Sequence, residues 1–375
     1  MLRFKNMSIK GISFILALIV LSTGAPIASA SSINDSFATK ITTAEVSAVE
    51  SAMEARGIGG DVKVETLYNQ KGQPAFLLGV SNSGYQIITR ETLMCIEGGE
   101  ANPYAAYPDG VKYYGGILNY YVVSGNKYID ICRDVEVESI PESDSLNAAI
   151  NSATNKNAAF APSASATASI TSTTIIPYAS SRIQRKAFGY NNDNTCSAVA
   201  CTIVLDYIDY NNSNIVPSSY HLENLVSKTG SDVATNSPKA HAFHRFLVDD
   251  CGMGAVSYAN GISNAIDEYR YSSTAISGTE IDCEWTLNIF TNFGIDELEA
   301  GRPTMLTSTI AEENYDFHTM PVYGYRRTSD NSLEWLVHTG WYSTLILKDG
   351  VYRMPEVWVA ASTATYLYRF TYNGM

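Results

Sequence analysis

The sequence predicts an α+β fold in two successive units. In the first, residues 31–140, one helical pattern is followed by short alternating runs separated by turn residues, which reads as a helix and an antiparallel meander. In the second, residues 181–375, helical patterns come first and strand patterns later, which reads as helices beside an antiparallel sheet. The 25 tyrosines against 12 phenylalanines also favour sheet, with hydroxyls expected at surfaces or grooves.

The elements follow in chain order. Arg3, Lys5 and Lys10, an apolar run over residues 12–21 and Ala28-Ser29-Ala30 make residues 1–30 a secretory signal peptide, with cleavage expected after Ala30. No later run reaches the ~20 apolar residues of a membrane span, so the mature chain is expected to be exported and free of the membrane. Thr42-Thr43-Ala44-Glu45 has capping-box spacing, and Val46, Val49 and Met53 continue on one helical face up to Gly57. Residues 62–68, 75–80 and 85–89 alternate as strands, with turns at residues 69–72 and 82–84. Histidine is missing from this first unit, which makes it a poor seat for acid–base chemistry near neutral pH. Residues 141–180 are rich in Ala, Ser, Thr and Asn; they have little apolar surface to bury and read as a linker, where proteolysis is expected. In the second unit, helices are predicted from Cys196 and over residues 238–250. Strands are predicted over residues 304–309, 320–326, 333–337, 344–348 and 365–372.

Composition limits the function. Apolar residues make up 45% of the 375, a globular share, and the formal net charge is −13. That charge argues against a nucleic acid or an anionic membrane as partner, since both need a basic footprint. The six cysteines are irregularly spaced with no CxxC pair, so neither zinc nor any other cofactor is expected, and no disulfide is assigned.

The chemistry is expected near Cys196 and His318. In Asn194-Thr195-Cys196-Ser197-Ala198-Val199, polar capping residues precede the cysteine and an apolar helix follows it, with Val199, Ile203 and Tyr207 on one buried face. A thiol in the first helical turn meets unpaired N–H groups and a partial positive charge, which lower its pKa. Cys201 lies deeper in the same helix. His318 opens a strand that runs to Gly324-Tyr325, and His338 lies twenty residues on, in Val337-His338-Thr339-Gly340-Trp341. His241 and His244 lack the partners of a metal motif and read as a solvated helix face, and His221 adds no metal site.

Taken in order, these blocks resemble the papain superfamily, specifically streptopain-like peptidases and peptidases that process bacteriocin leaders. The matching residues are Cys196 with Tyr207 eleven positions on, the segment from Gly294 to Met305 with Ile295, Leu298 and Gly301-Arg302-Pro303, the run from His318 to Gly324-Tyr325, and Val337 to Trp341. The resemblance covers about residues 181–375 and implies a papain-like cysteine peptidase domain preceded by a propeptide, a secreted zymogen cut between residues 146 and 185. It implies Cys196 as nucleophile and His318 as general base, acting on a peptide or protein substrate. The family's orienting Asn or Asp falls on His338, which would accept the His318 N–H. Its oxyanion glutamine falls on Tyr190, with Asn191 and Asn192 as other donors. Two further readings accompany this one: a cell-wall peptide amidase with a Cys-His-His site, and an inactive papain-fold binding protein.

Overall fold

The computed structural model describes residues 40–140, 164–186, 195–211, 214–220, 238–254, 259–272, 280–288, 290–308, 318–341 and 344–372. The signal-peptide segment and residues 141–163 lie outside these. Helix α1 (Thr43–Ala55) begins at the capping box: the Thr42 hydroxyl accepts the Glu45 N–H at 3.2 Å, and the Glu45 carboxylate accepts the Thr42 N–H at 2.7 Å. The meander follows as β1 (Lys63–Tyr68), β2 (Pro74–Ser81), β3 (Gly84–Thr89) and β4 (Cys95–Gly99). Buried Val49 and Met53 press α1 onto β2 at Gly79, where a Cβ would sit 2.3 Å from a Val49 methyl. A side chain there would force the Val49 and Met53 side chains out of place. Four more strands extend the unit: β5 (Lys112–Gly116), β6 (Asn119–Ser124), β7 (Lys127–Asp130) and β8 (Val135–Val137).

The second half begins inside the predicted linker. Strand β9 (Ile170–Ile175) and the short α2 (Ala179–Arg182) come first, then α3 (Cys196–Asn211), α4 (Pro238–Asp249) and α5 (Asn260–Tyr271). Next are β10 (Ile281–Leu287), α6 (Asn292–Glu299), β11 (Thr304–Ser308), β12 (His318–Thr328) and β13 (Leu333–Val337). The chain closes with β14 (Ile346–Lys348), β15 (Val351–Arg353), β16 (Val357–Ala360) and β17 (Ala364–Tyr372). Among the described residues no helix is long and apolar enough to cross a membrane.

The architecture is α+β, and strands of both halves share one sheet, with β14 and β15 paired separately as a two-stranded sheet. The order of the shared sheet is β10-β17-β11-β12-β13-β16-β4-β3-β2-β1-β5-β6-β7-β8, with β9 on β12. Pairing is antiparallel except where Tyr68 of β1 meets Tyr113 of β5. The join is β16 on β4, with Val357, Trp358 and Val359 opposite Gly99, Gly98 and Glu97. Residues 38–375 accordingly form one compact unit.

Two expectations are corrected here. The linker reading fails at β9, whose Thr174 and Thr173 pair with Tyr325 and Arg326 of β12. Its side chains are largely exposed, so it shows no apolar alternation, and β-branched Thr and Ile with a backbone ladder suffice to form it. Gly324 of β12 accommodates the contact, since a Cβ there would lie 2.7 Å from the Thr174 carbonyl oxygen. Nor are the tyrosine hydroxyls confined to surfaces. Tyr85, Tyr114 and Tyr120 are fully buried and donate to the carboxylate of buried Glu97 on β4, which also accepts the Leu118 N–H at 3.1 Å.

Candidate active site

Cys196 is the first residue of α3, and residues 196–208 of that helix are all buried. One side, with Val199, Ile203 and Tyr207, joins the large apolar cluster under the sheet; the other, with Cys201, Val204 and Leu205, joins a second cluster with α4 and α5. Burial on both sides fixes the helix and with it the position of its first side chain. The Tyr207 hydroxyl lies 2.8 Å from the Pro177 carbonyl oxygen and 3.0 Å from that of Gly301. It ties α3 to the turn that precedes β11.

His318 opens β12, opposite Ser308 of β11. Its neighbour Thr319 donates its backbone N–H to Cys196 Sγ at 3.4 Å, so residues more than a hundred positions apart meet where a helix start faces a strand start. Hydroxyls support the contact. Ser197 Oγ donates to Thr319 Oγ1 at 3.1 Å, Thr319 Oγ1 lies 3.0 Å from Thr307 Oγ1, and Thr307 Oγ1 lies 3.0 Å from the Tyr368 hydroxyl. Among the described residues no hydrogen bond joins the Cys196 thiol to the His318 ring.

The orienting bond to His318 differs from the expected one. His318 Nε2 lies 2.7 Å from the Thr339 carbonyl oxygen; a carbonyl only accepts, so Nε2 carries the proton and Nδ1 is the free base. The Trp341 indole stacks on the ring, centroids 5.1 Å apart and planes 15° from parallel. His338 makes other bonds: its Nε2 donates to the Lys186 carbonyl at 2.6 Å, and its Nδ1 accepts the Gly340 N–H at 3.0 Å. The correction has a geometric cause. His338 closes a tight turn with Gly340, whose φ is 72°, and that turn aims the carbonyl of the residue between them at His318. His338 therefore precedes the residue whose carbonyl holds His318 and makes its own bonds to Lys186 and Gly340. The Lys186 ammonium in turn pairs with Asp206 of α3 at 2.8 Å, linking the turn to the helix that carries Cys196.

Burial dominates the electrostatics. It lowers His318 from 6.5 to about 4, against the opposing Thr339 hydrogen bond. It also lowers His338 from 6.5 to about 4, against the bond to Lys186 and with help from the neighbouring His318 ring. The Cys196 thiol is pushed up by burial, which outweighs the N–H groups of Thr319 and Ser197 and the hydroxyls of the same residues. The depressed thiol pKa expected from the helix start is thus overturned: water exclusion outweighs the local N–H groups.

A prediction follows from the two rings. Below their ordinary 6.5 they take up protons in the unfolded chain, but in the fold only near 4. Their contribution to stability is complete above 6.5 and is lost as pH falls toward 4, by roughly 3 kcal/mol per ring. Urea midpoints should fall steeply from pH 7 to pH 4, and His338→Gln should make that fall shallower. Equal slopes for the two proteins would show that His338 is not held neutral.

The sequence marks Thr195 as a capping residue but carries no signal for the roles of Thr319 and Thr339, which act through backbone atoms that any residue supplies. His244 was read wrongly as solvated: it is buried, with Nε2 2.9 Å from the hydroxyl of Thr195, the residue before Cys196. The i,i+3 spacing of His241 and His244 signals a helix face but not which side is covered. Tyr190, Asn191, Asn192 and His221 lie outside the described residues. No protein-family model matches the chain, and no curated protein matches it.

Proposed function

We propose that this chain is the precursor of a secreted cysteine peptidase with a papain-like second half. Cys196 attacks the peptide carbonyl. His318 takes the thiol proton at Nδ1 and returns it to the leaving amine, and water then releases the acyl group. The observation that carries this reading is the Thr319 N–H to Cys196 Sγ contact at 3.4 Å, which brings the nucleophile candidate beside the base candidate. The Thr339 carbonyl holds the ring in the tautomer the step needs and accepts the charge of the imidazolium, less strongly than a carboxylate. Trp341 covers one face of the ring. Engagement of His338 by Lys186 and Gly340 weighs against the amidase reading, in which it would be the third member of a Cys-His-His set.

The test is thiol labelling. With iodoacetamide, Cys196 should take the label before Cys201, which is fully buried and accepts no backbone N–H at sulfur among the described contacts. The rate should climb with pH through neutrality, because burial holds the thiol above its ordinary value and only the thiolate reacts. Faster labelling of Cys201 would assign the wrong nucleophile. A processed protein whose Cys196 takes no label would favour the binding-protein reading.

A further inference from the structure

We infer that the N-terminal unit is not shed when the chain is cut, and remains as a fixed partner of the C-terminal part. This rests on the reading above only in taking the cut as maturation. A segment built to leave docks through a surface that can separate; here the contact is a backbone ladder, a buried ion cluster and a shared core. Strand β16 is buried along its length and pairs with β13 on one side and β4 on the other. Without β4 it would become a bare apolar edge with unpaired N–H and C=O groups. The approach is close enough that a Cβ on Gly99 would lie 2.6 Å from the Glu356 carbonyl oxygen.

Charges lock the same seam. Arg56, just past α1, donates to Glu334 of β13 at 2.7 Å, with both side chains almost wholly excluded from water. Glu100 accepts Lys348 at 2.5 Å and the Glu356 N–H at 2.9 Å, and pairs with Arg353 at 2.7 Å. Part of the expected cut window, residues 146–185, is held too: the Cys95 N–H donates to the Ala164 carbonyl at 2.8 Å, and the Ala166 N–H to that of Leu93 at 3.0 Å. Phe76, Leu78 and Tyr114 share one apolar cluster with Val199, Leu336 and Trp358. The seam also serves the site, since β4 supports β16, β16 supports β13, and β13 leads into the turn whose carbonyl orients His318.

The experiment replaces residues 151–157 with the recognition sequence of a site-specific protease in the Cys196→Ala chain, so that association is read without any hydrolysis by the protein itself. After cutting, both fragments should co-elute in size exclusion at the volume of the uncut chain and separate only in urea that unfolds them. The same cut in an Arg56→Ala background should raise the fragment concentration needed for co-elution at least tenfold. An N-terminal fragment that elutes alone, beside a C-terminal fragment with native near-UV circular dichroism, would overturn the proposal. Failure of the peptidase reading would appear instead in the chain that keeps Cys196 and is cut the same way, as a Cys196 that takes no label in a complex that still co-elutes.

Discussion

Serine in place of Cys196 is expected to leave the fold intact and to lower hydrolysis of fluorescein-labelled casein by the processed protein by roughly four orders of magnitude. The hydroxyl can still accept the Thr319 N–H, so the contact that positions the helix start survives. What is lost is a polarisable nucleophile whose proton His318 can remove. His318→Gln should be comparably inactive, because glutamine can donate to the Thr339 carbonyl as Nε2 does but offers no base at the position of Nδ1. The two losses should not add in the double variant, since the residues act as one unit. Trp341→Ala tests a different property. It removes the stacked indole and uncovers one face of the His318 ring, so kcat should fall while KM stays near its original value. Casein turnover by Cys196→Ser at the wild-type rate would end the peptidase assignment for this residue.

Glu334→Gln is expected to destabilise the protein by about 3–5 kcal/mol, the cost of leaving buried charge without its partner. Glu334 accepts Arg56 on one oxygen at 2.7 Å and Arg326 on the other at 2.6 Å. Burial alone would raise its carboxyl, but the charges and hydrogen bonds of Arg326 and Arg56 outweigh it and hold the group below 4.5. Its contribution is present above pH 4.5 and is lost as pH falls through the lowered value. Glutamine keeps the shape and removes the negative charge, leaving two guanidinium groups facing each other, one of them over the Trp358 ring at 4.3 Å. Replacing all three residues with Met or Leu should cost far less, because no unpaired charge remains. Urea midpoints at neutral pH distinguish these cases; a Glu334→Gln midpoint equal to wild type would show that the two arginines do not depend on this carboxylate.

Local chemistry made much of the framework legible. The capping box at Thr42 and Glu45 marked the start of α1 because both partners lie within four residues. The polar-to-apolar change at Cys196 marked the start of α3, and alternating apolar residues marked β11, β12, β13 and β17 close to their observed bounds. Whatever depended on distant partners was settled only by the tertiary fold. Strand β9 is a strand because β12 offers an edge, not because its own side chains alternate. Glu97 and its three tyrosines look like surface polar residues until the sheet encloses them. His338 pairs with Lys186 and Gly340 rather than His318 because the turn around Thr339 directs a backbone carbonyl at the base, and carbonyls carry no sequence signature. The helix start supplies the Ser197 N–H, but the Thr319 N–H comes from β12, and the shift has the opposite sign to the expected one: dipoles act over one turn, whereas desolvation comes from every segment packed around the thiol. The joining of both halves into one sheet through β4 and β16 was illegible for the same reason, since register between strands some 260 residues apart is decided by packing and not by either strand alone.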